Sequence, residues 1–322
     1  MILVVAEHDR GVLAPATLEA LTAARPLAAE LSAAIEVLSI GADADGIAAE
    51  LADHGAETVH QVHHDLLLDY GPEAWGEVVA QAIERLSPAI VLATGTDRGN
   101  EVLAQAAARR DLPMVANVVE FGPGPPFEVL RVRWGGSLHE QATIDAPVVV
   151  ATLAHHTVEA QPADTPGAGT VTELVPELDA HVTRTMIRDR VERAAGLTLA
   201  TSPVVVGGGR GVGSPEGFGA LEDLADLLGG VVGCSRAVTN NGWRNHTDQV
   251  GQTGTRIAPE VYFACGISGA VQHWVGAMAS KNIIAINTDP EANMVTKAGY
   301  AVIADLHEMV PAIVEEIRRR RA

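Results

Sequence analysis

At 322 residues, 47% of them hydrophobic and 20% charged, the chain is long enough for two buried cores and falls in the globular class. A formal net charge of −19 repels phosphate backbones and anionic headgroups, which excludes nucleic acid as a partner; the one basic run, Arg318 to Arg321, suits the negative end of a closing helix. Only 3% of residues are aromatic, which favours small-residue α/β packing over an aromatic-rich sandwich.

Short Val/Ile/Leu runs without polar alternation recur along the chain, each followed by a segment of helical period, as parallel strands covered on both faces read. In the first half they predict strands at Ile2–Ala6, Ile35–Ile40, Thr58–Val62, Ala89–Ala93, Val115–Val119, Glu128–Val132 and Val148–Thr152. Helical patterns at Thr17–Ser32, Pro72–Leu86 and Gly99–Arg110 lie between them, giving one doubly wound domain. Pro162, Pro166, Gly167 and Gly169 spell a long loop between Ala154 and Thr170. Val182–Arg193 reads as a strand running into a polar helix and Gly196–Ser202 as a linker, so the expected domains are 1–198 and 199–322.

The alternation restarts with strand Val204–Val206, a glycine loop and helix Pro215–Leu228, with Ser214 as N-cap and Gly229 as terminator. Strand Val231–Ser235 and a long polar loop to Arg256 follow. Then come strand Val261–Cys265, helix Gly269–Ala279, strands Ile283–Asn287 and Ala301–Ala304, and a closing helix to Arg320. The fold class is therefore α/β, with two doubly wound parallel-sheet domains, the C-terminal one Rossmann-like.

Polar and glycine residues gather where these second-half strands end, the edge at which open α/β sheets bind ligands. Gly207–Gly213 follows a buried strand but contains no G-x-G-x-x-G, so it is either a phosphate loop, with Arg210 as a bidentate contact, or a plain strand-to-helix turn. Gly266-Ile-Ser-Gly269 opens a helix whose first amides suit an anion, Ser268 otherwise being an N-cap, and Gln272 and His273 follow in its first turns. Ser235 and Arg236 close another strand, while Asn287 and Asp305 sit just past two more, where turn chemistry is the alternative reading. Taken together, these strand ends and Val250-Gly-Gln-Thr-Gly254 mark one ligand-binding edge.

The first half lacks that concentration. His60, His63 and His64 have no matching ligand set and read as surface histidines, so no metal is expected; Thr94-Gly-Thr-Asp-Arg98 and Gly135-Gly-Ser-Leu-His139 read as scaffold turns. Cys234 and Cys265 make neither a disulfide framework nor a zinc spacing, and Cys265 ends an apolar strand as a buried hydrophobe would. With no basic leader and no apolar run of about 18 residues, the protein is expected in the cytoplasm and not in a membrane.

Ser235-Arg236, Val250-Gly-Gln-Thr-Gly254, Ala258-Pro-Glu260, Gly266-Ile-Ser-Gly-Ala-Val-Gln-His273, Ala285-Ile-Asn287, Asp289-Pro-Glu-Ala292 and Ala304-Asp-Leu306, in this order, resemble the alpha subunit of electron transfer flavoproteins. Weaker matches are Ala6-Glu-His-Asp9, Thr96-Asp-Arg98 and Gly135-Gly-Ser-Leu-His139. The resemblance implies a C-terminal domain holding FAD and an N-terminal domain packed on a separate beta subunit. It assigns the FAD contacts to Arg210, Ser235, Arg236, Val250, Gly251, Gln252, Thr253, Ser268, Gly269, Ala270, Val271, Gln272, His273, Asn287, Asp305 and Leu306. Arg236, Thr253 and His273 would lie near the isoalloxazine, Ser268 to Val271 along the phosphates, and Asn287 and Asp305 at the adenosine end. An arginine and an imidazole beside the ring would stabilise the negative charge it gains with an electron, and the Thr253 hydroxyl would hydrogen-bond its N5 or O4 edge.

The chain departs from the family pattern at Thr255, a frequent lysine, and in the polar loop Ala237–His246, where Trp243 or His246 could reach the ring or a partner. The implied function is an electron carrier without substrate turnover, fed by flavin dehydrogenases such as acyl-CoA dehydrogenases and drained by a quinone reductase. The alternatives are a nucleotide-dependent oxidoreductase or transferase using Cys265 and His273, and a colourless regulatory binder of AMP or ATP.

Overall fold

Ile2 and Val4 join one apolar cluster, Leu3 and Val5 another, on opposite faces of strand β1 (Ile2–Val5). Burial on both faces is why this run carries no polar alternation. The computed structural model describes residues 1–122, 124–188 and 197–321. They fall into two units: the described residues of Met1–Trp134 and from Leu138 to 188, and Gly135–Ser137 with those from 197 on.

The first unit continues through β2 (His8–Asp9), β3 (Val12–Leu13), α1 (Pro15–Leu31), β4 (Ile35–Ile40), α2 (Ala48–Asp53), β5 (Thr58–Val62), α3 (Pro72–Leu86) and β6 (Ile90–Thr94). After these come α4 (Asp97–Arg110), β7 (Met114–Phe121), β8 (Phe127–Arg133), β9 (Leu138–Ile144), β10 (Val149–Leu153) and β11 (Thr170–Leu174). Among the described residues the sheet runs β11-β5-β4-β1-β6-β10-β7-β8-β9. It is parallel as far as β7, then antiparallel through β8 and β9. The parallel, doubly wound part is as expected from the sequence; the antiparallel edge is not.

In β11 all residues but Leu174 are exposed, and β9 is exposed or half-buried up to Ile144, so neither carries an apolar run. Thr96 caps α4 by accepting the Gly99 amide at 2.9 Å, so the expected scaffold turn is a helix start. A 3-10 turn, Ala180–Thr183, stands where a strand from Val182 was expected; 189–193 of that expectation, and Gly196 of the linker, lie outside the described residues.

The second unit contains β12 (Val204–Gly208), α5 (Gly219–Leu228), β13 (Val231–Cys234), α6 (Arg236–Asn240), β14 (Val261–Cys265), α7 (Val271–Ala277), β15 (Asn282–Asn287), α8 (Asn293–Lys297), β16 (Tyr300–Ile303) and α9 (Leu306–Arg321). Its sheet is parallel throughout, in the order β13-β12-β14-β15-β16. Val206 packs with Leu221 and Leu224 of α5 and Val310 and Val314 of α9, while Val205 packs with Tyr262, Ile257 and Met294 on the other face.

Several local expectations are corrected in this unit. Ser214 does not cap a helix: its side chain bonds the Glu216 carboxylate, and the chain enters α5 through a 3-10 turn at Glu216–Phe218. Gly229 does terminate α5, at φ 66°. The polar loop after β13 begins as helix α6, and α7 starts only at Val271, because Gly269 adopts φ 76° and Ala270 is extended.

Candidate functional site

From β12 the chain turns outward to β13 on one side and β14 on the other, so the loops leaving β12 and β14 diverge and open a crevice at the carboxyl edge of the sheet. Its volume is about 500 Å³, within the range of cofactor pockets. Arg210, Ser235, Arg236, Ser268, Gly269, Ala270, Gln272, His273 and Asn287 line it, together with Gly211, Ala237, Asn240, Gly266, Ile267, Asp289 and Ala292. Asn240 was not anticipated, since it lies one helical turn beyond Arg236 in a stretch read as loop.

The two loops are held in direct backbone contact. A Cβ on Gly209 would lie 2.1 Å from the Gly266 carbonyl oxygen, and one on Gly269 would lie 2.3 Å from the Met294 nitrogen. Glycine at 209 thus permits close loop-to-loop packing, which fixes one wall of the crevice. Asn287 Nδ2 donates to the Ile267 carbonyl at 3.0 Å and ties the end of β15 to the same wall. Among the described residues, the amides of Ser268, Gly269, Ala270 and Val271 donate to no protein acceptor.

His273 is buried beneath the crevice, and its Nε2 meets the Tyr262 hydroxyl at 2.8 Å. That hydroxyl has no other hydrogen-bond partner among the described residues. Burial lowers the pKa of His273 to about 4, the Val250 backbone opposing the fall, and no full hydrogen bond reaches Nδ1. The imidazole is therefore neutral at pH 7 in this chain, and the cations lining the crevice are Arg210 and Arg236.

Val250, Gly251, Gln252, Thr253, Val271, Asp305 and Leu306 do not line the crevice. The loop from Val250 is bound alongside it: Gln252 N donates to the Gln272 carbonyl at 2.7 Å, and Gly251 packs against Gly276. Gln249, which the sequence gave no reason to single out, is buried and links α6 to this loop, accepting from Thr239 Oγ1 at 2.8 Å and donating to Thr253 Oγ1 at 2.9 Å. Asp305 accepts the His307 amide at 2.9 Å at the head of α9, and Leu306 is buried under Gly266. Trp243 packs on the α5 and α9 core and not into the crevice, while His246 is exposed.

Cys265 is fully buried and its thiol is pushed up to about 12 by burial, which leaves no thiolate at neutral pH. In the first unit, a crevice of about 340 Å³ is lined by His8, Arg10, Asp69 and Arg98 among others. Its cations are engaged within the protein: Arg10 pairs with Asp69 at 2.6 Å, and Arg98 donates to the His8 carbonyl at 3.1 Å. Nor is His60 a surface histidine, since it is buried between Glu36 at 2.6 Å and Thr172 at 2.7 Å.

Compared with known protein families, residues 2–179 match the electron transfer flavoprotein domain and residues 198–278 the electron transfer flavoprotein FAD-binding domain. The chain belongs to the electron transfer flavoprotein alpha-subunit family. It is 34% identical to the electron transfer flavoprotein subunit alpha of Bacillus subtilis, covering 99% of this chain and 97% of that one. It is 35% identical to that of Mycobacterium tuberculosis, with 99% of both chains covered. A probable mitochondrial alpha subunit of Caenorhabditis elegans is 36% identical over 97% of this chain and 92% of its own.

FAD is the cofactor of the matched C-terminal domain, and the residues present fit it. Unpartnered amides at 268–271 and the Arg210 guanidinium suit a pyrophosphate, and the Arg236 guanidinium suits a ring that gains negative charge. Among the described residues no helix is long and apolar enough to cross a membrane.

Proposed function

We propose that this chain is the FAD-binding subunit of a cytoplasmic heterodimer, completed by a beta subunit that packs on the N-terminal unit. The pair takes electrons from flavin dehydrogenases, acyl-CoA dehydrogenases among them, and passes them singly to a quinone reductase or a similar acceptor, with no substrate turnover of its own. The observation that carries this reading is the convergence of Arg210, Arg236, Ser268 and His273 on one crevice at the carboxyl edge of the second sheet.

When bound, FAD supplies the redox chemistry. The amides of Ser268 to Val271 and Arg210 hold its phosphates, and Asn287 orders the adenosine end, with Asp305 and Leu306 supporting the wall behind it. Arg236 offsets negative charge gained by the ring. His273, buried with its Nε2 on Tyr262, backs the crevice as a neutral imidazole. Thr253 Oγ1 accepts from Gln249, which frees its own hydrogen for the ring edge. Val250, Gly251 and Gln252 hold that threonine in place, and Ser235 and Gln272 supply polar contacts.

The test is co-expression with a candidate beta chain, followed by the visible spectrum and reduction of a dye. A yellow complex that shuttles electrons supports the proposal. A colourless complex that takes up no added FAD, or one that retains AMP or ATP instead, overturns it.

A further inference from the structure

Glu19 lies on α1, and His155 and His156 follow the end of β10 in the first unit; none of them belongs to the flavin crevice. The Glu19 side chain is only 9% exposed, and its Oε1 stands 3.3 Å from His156 Nδ1 and 3.8 Å from His155 Nε2. Its other oxygen accepts the His156 amide at 2.8 Å.

Adjacent residues of an extended chain direct their side chains to opposite sides. Here His156 takes a left-handed backbone, φ 61°, and the two rings instead stack with centroids 3.6 Å apart and planes at 22°. A conformation that any residue with a Cβ resists is thus kept, and its effect is to bring both imidazoles to one carboxylate. His156 Nε2 is buried without a hydrogen-bond partner.

One donor atom from each of the three residues lies within 4.8 Å of the others. Two ligands on a tetrahedral zinc ion stand roughly 3.3 Å apart, and the stacked rings turn apart so that a nitrogen lone pair of each meets the ion. We propose that Glu19, His155 and His156 bind a divalent transition-metal ion of the zinc class through two imidazole nitrogens and one carboxylate oxygen. The mixed nitrogen and oxygen donor set favours such an ion over magnesium or calcium, which take oxygen ligands. The bound ion clamps α1 to the chain leaving β10.

The test uses the full-length chain purified with its partner, stripped with a chelator and dialysed against Zn²⁺ alone, with bound metal measured directly. The variants are His155→Gln and His156→Asn, the latter because asparagine tolerates a left-handed backbone. Wild type is expected to hold one equivalent more than either variant, or to bind it at least about tenfold more tightly, and to gain thermal stability with Zn²⁺ that the variants do not. Equal zinc uptake and equal thermal shift in wild type and both folded variants, or no bound zinc in wild type, overturns the proposal. The readout is the metal itself, so it does not depend on whether flavin is retained.

Discussion

Tyr262 and His273 form a buried polar pair under the crevice, and their energetics are visible in acid. An unfolded imidazole takes up a proton near pH 6.5, whereas the buried ring resists until about 4. Between those values the unfolded state binds more protons, so stability is fully present above pH 6.5 and falls as the pH drops toward 4. For the chain without flavin the loss reaches up to about 3 kcal/mol. Urea titrations across this window are expected to show that slope in wild type and a flatter one in His273→Gln; parallel slopes would remove His273 as the cause. Arg236 acts differently, as an exposed cation at the crevice. Arg236→Ala is expected to make the flavin potential more negative by tens of millivolts, since about 1 kcal/mol of charge interaction at a solvated site corresponds to roughly 40 mV for one electron. Redox titration reads this directly, and an unchanged potential would place the guanidinium away from the ring.

At the scale of elements, the crevice exists because two loops touch through backbone. Gly209→Ala drives a methyl into the Gly266 carbonyl, and Gly269→Ala adds strain at φ 76° and a clash with Met294. Each is expected to cost about 1–3 kcal/mol and to weaken FAD retention, checked by denaturation and by flavin content after gel filtration. The control is Gly219→Ala, where a Cβ meets nothing within 4 Å in helix α5 and stability should hold or rise slightly. The sequence marks one of these segments as a phosphate loop or a strand-to-helix turn and the other as a helix start; the backbone contacts of Gly209 and Gly269 are visible only once the neighbouring chain is in place. The same holds for Asp305 and Leu306: one serves the head of α9 and the other fills space beneath Gly266.

For the whole molecule, each unit has its own sheet and its own apolar clusters on both faces. A ligand that binds only the folded form of one unit raises the stability of that unit first. Hydrogen exchange of the heterodimer with and without FAD is therefore expected to show the largest added protection in β12 to β15 and the loops leaving them. Equal added protection throughout the sheet of the first unit would contradict a binding site confined to the second.

What the chain determined by itself was set by short-range physics. Runs such as Val204–Val206 and Ile283–Ile286 are apolar enough to specify buried parallel strands, and their glycine and polar ends mark the edge where a ligand sits. Gly229 terminates a helix by local backbone freedom alone. The tertiary structure decided what depends on partners distant in sequence: the exposed strands β9 and β11, recruited by pairing and not by hydrophobicity, and the charge of His273. That charge follows from burial; whether an imidazole is charged or neutral is a property of its surroundings, which periodicity and spacing do not encode.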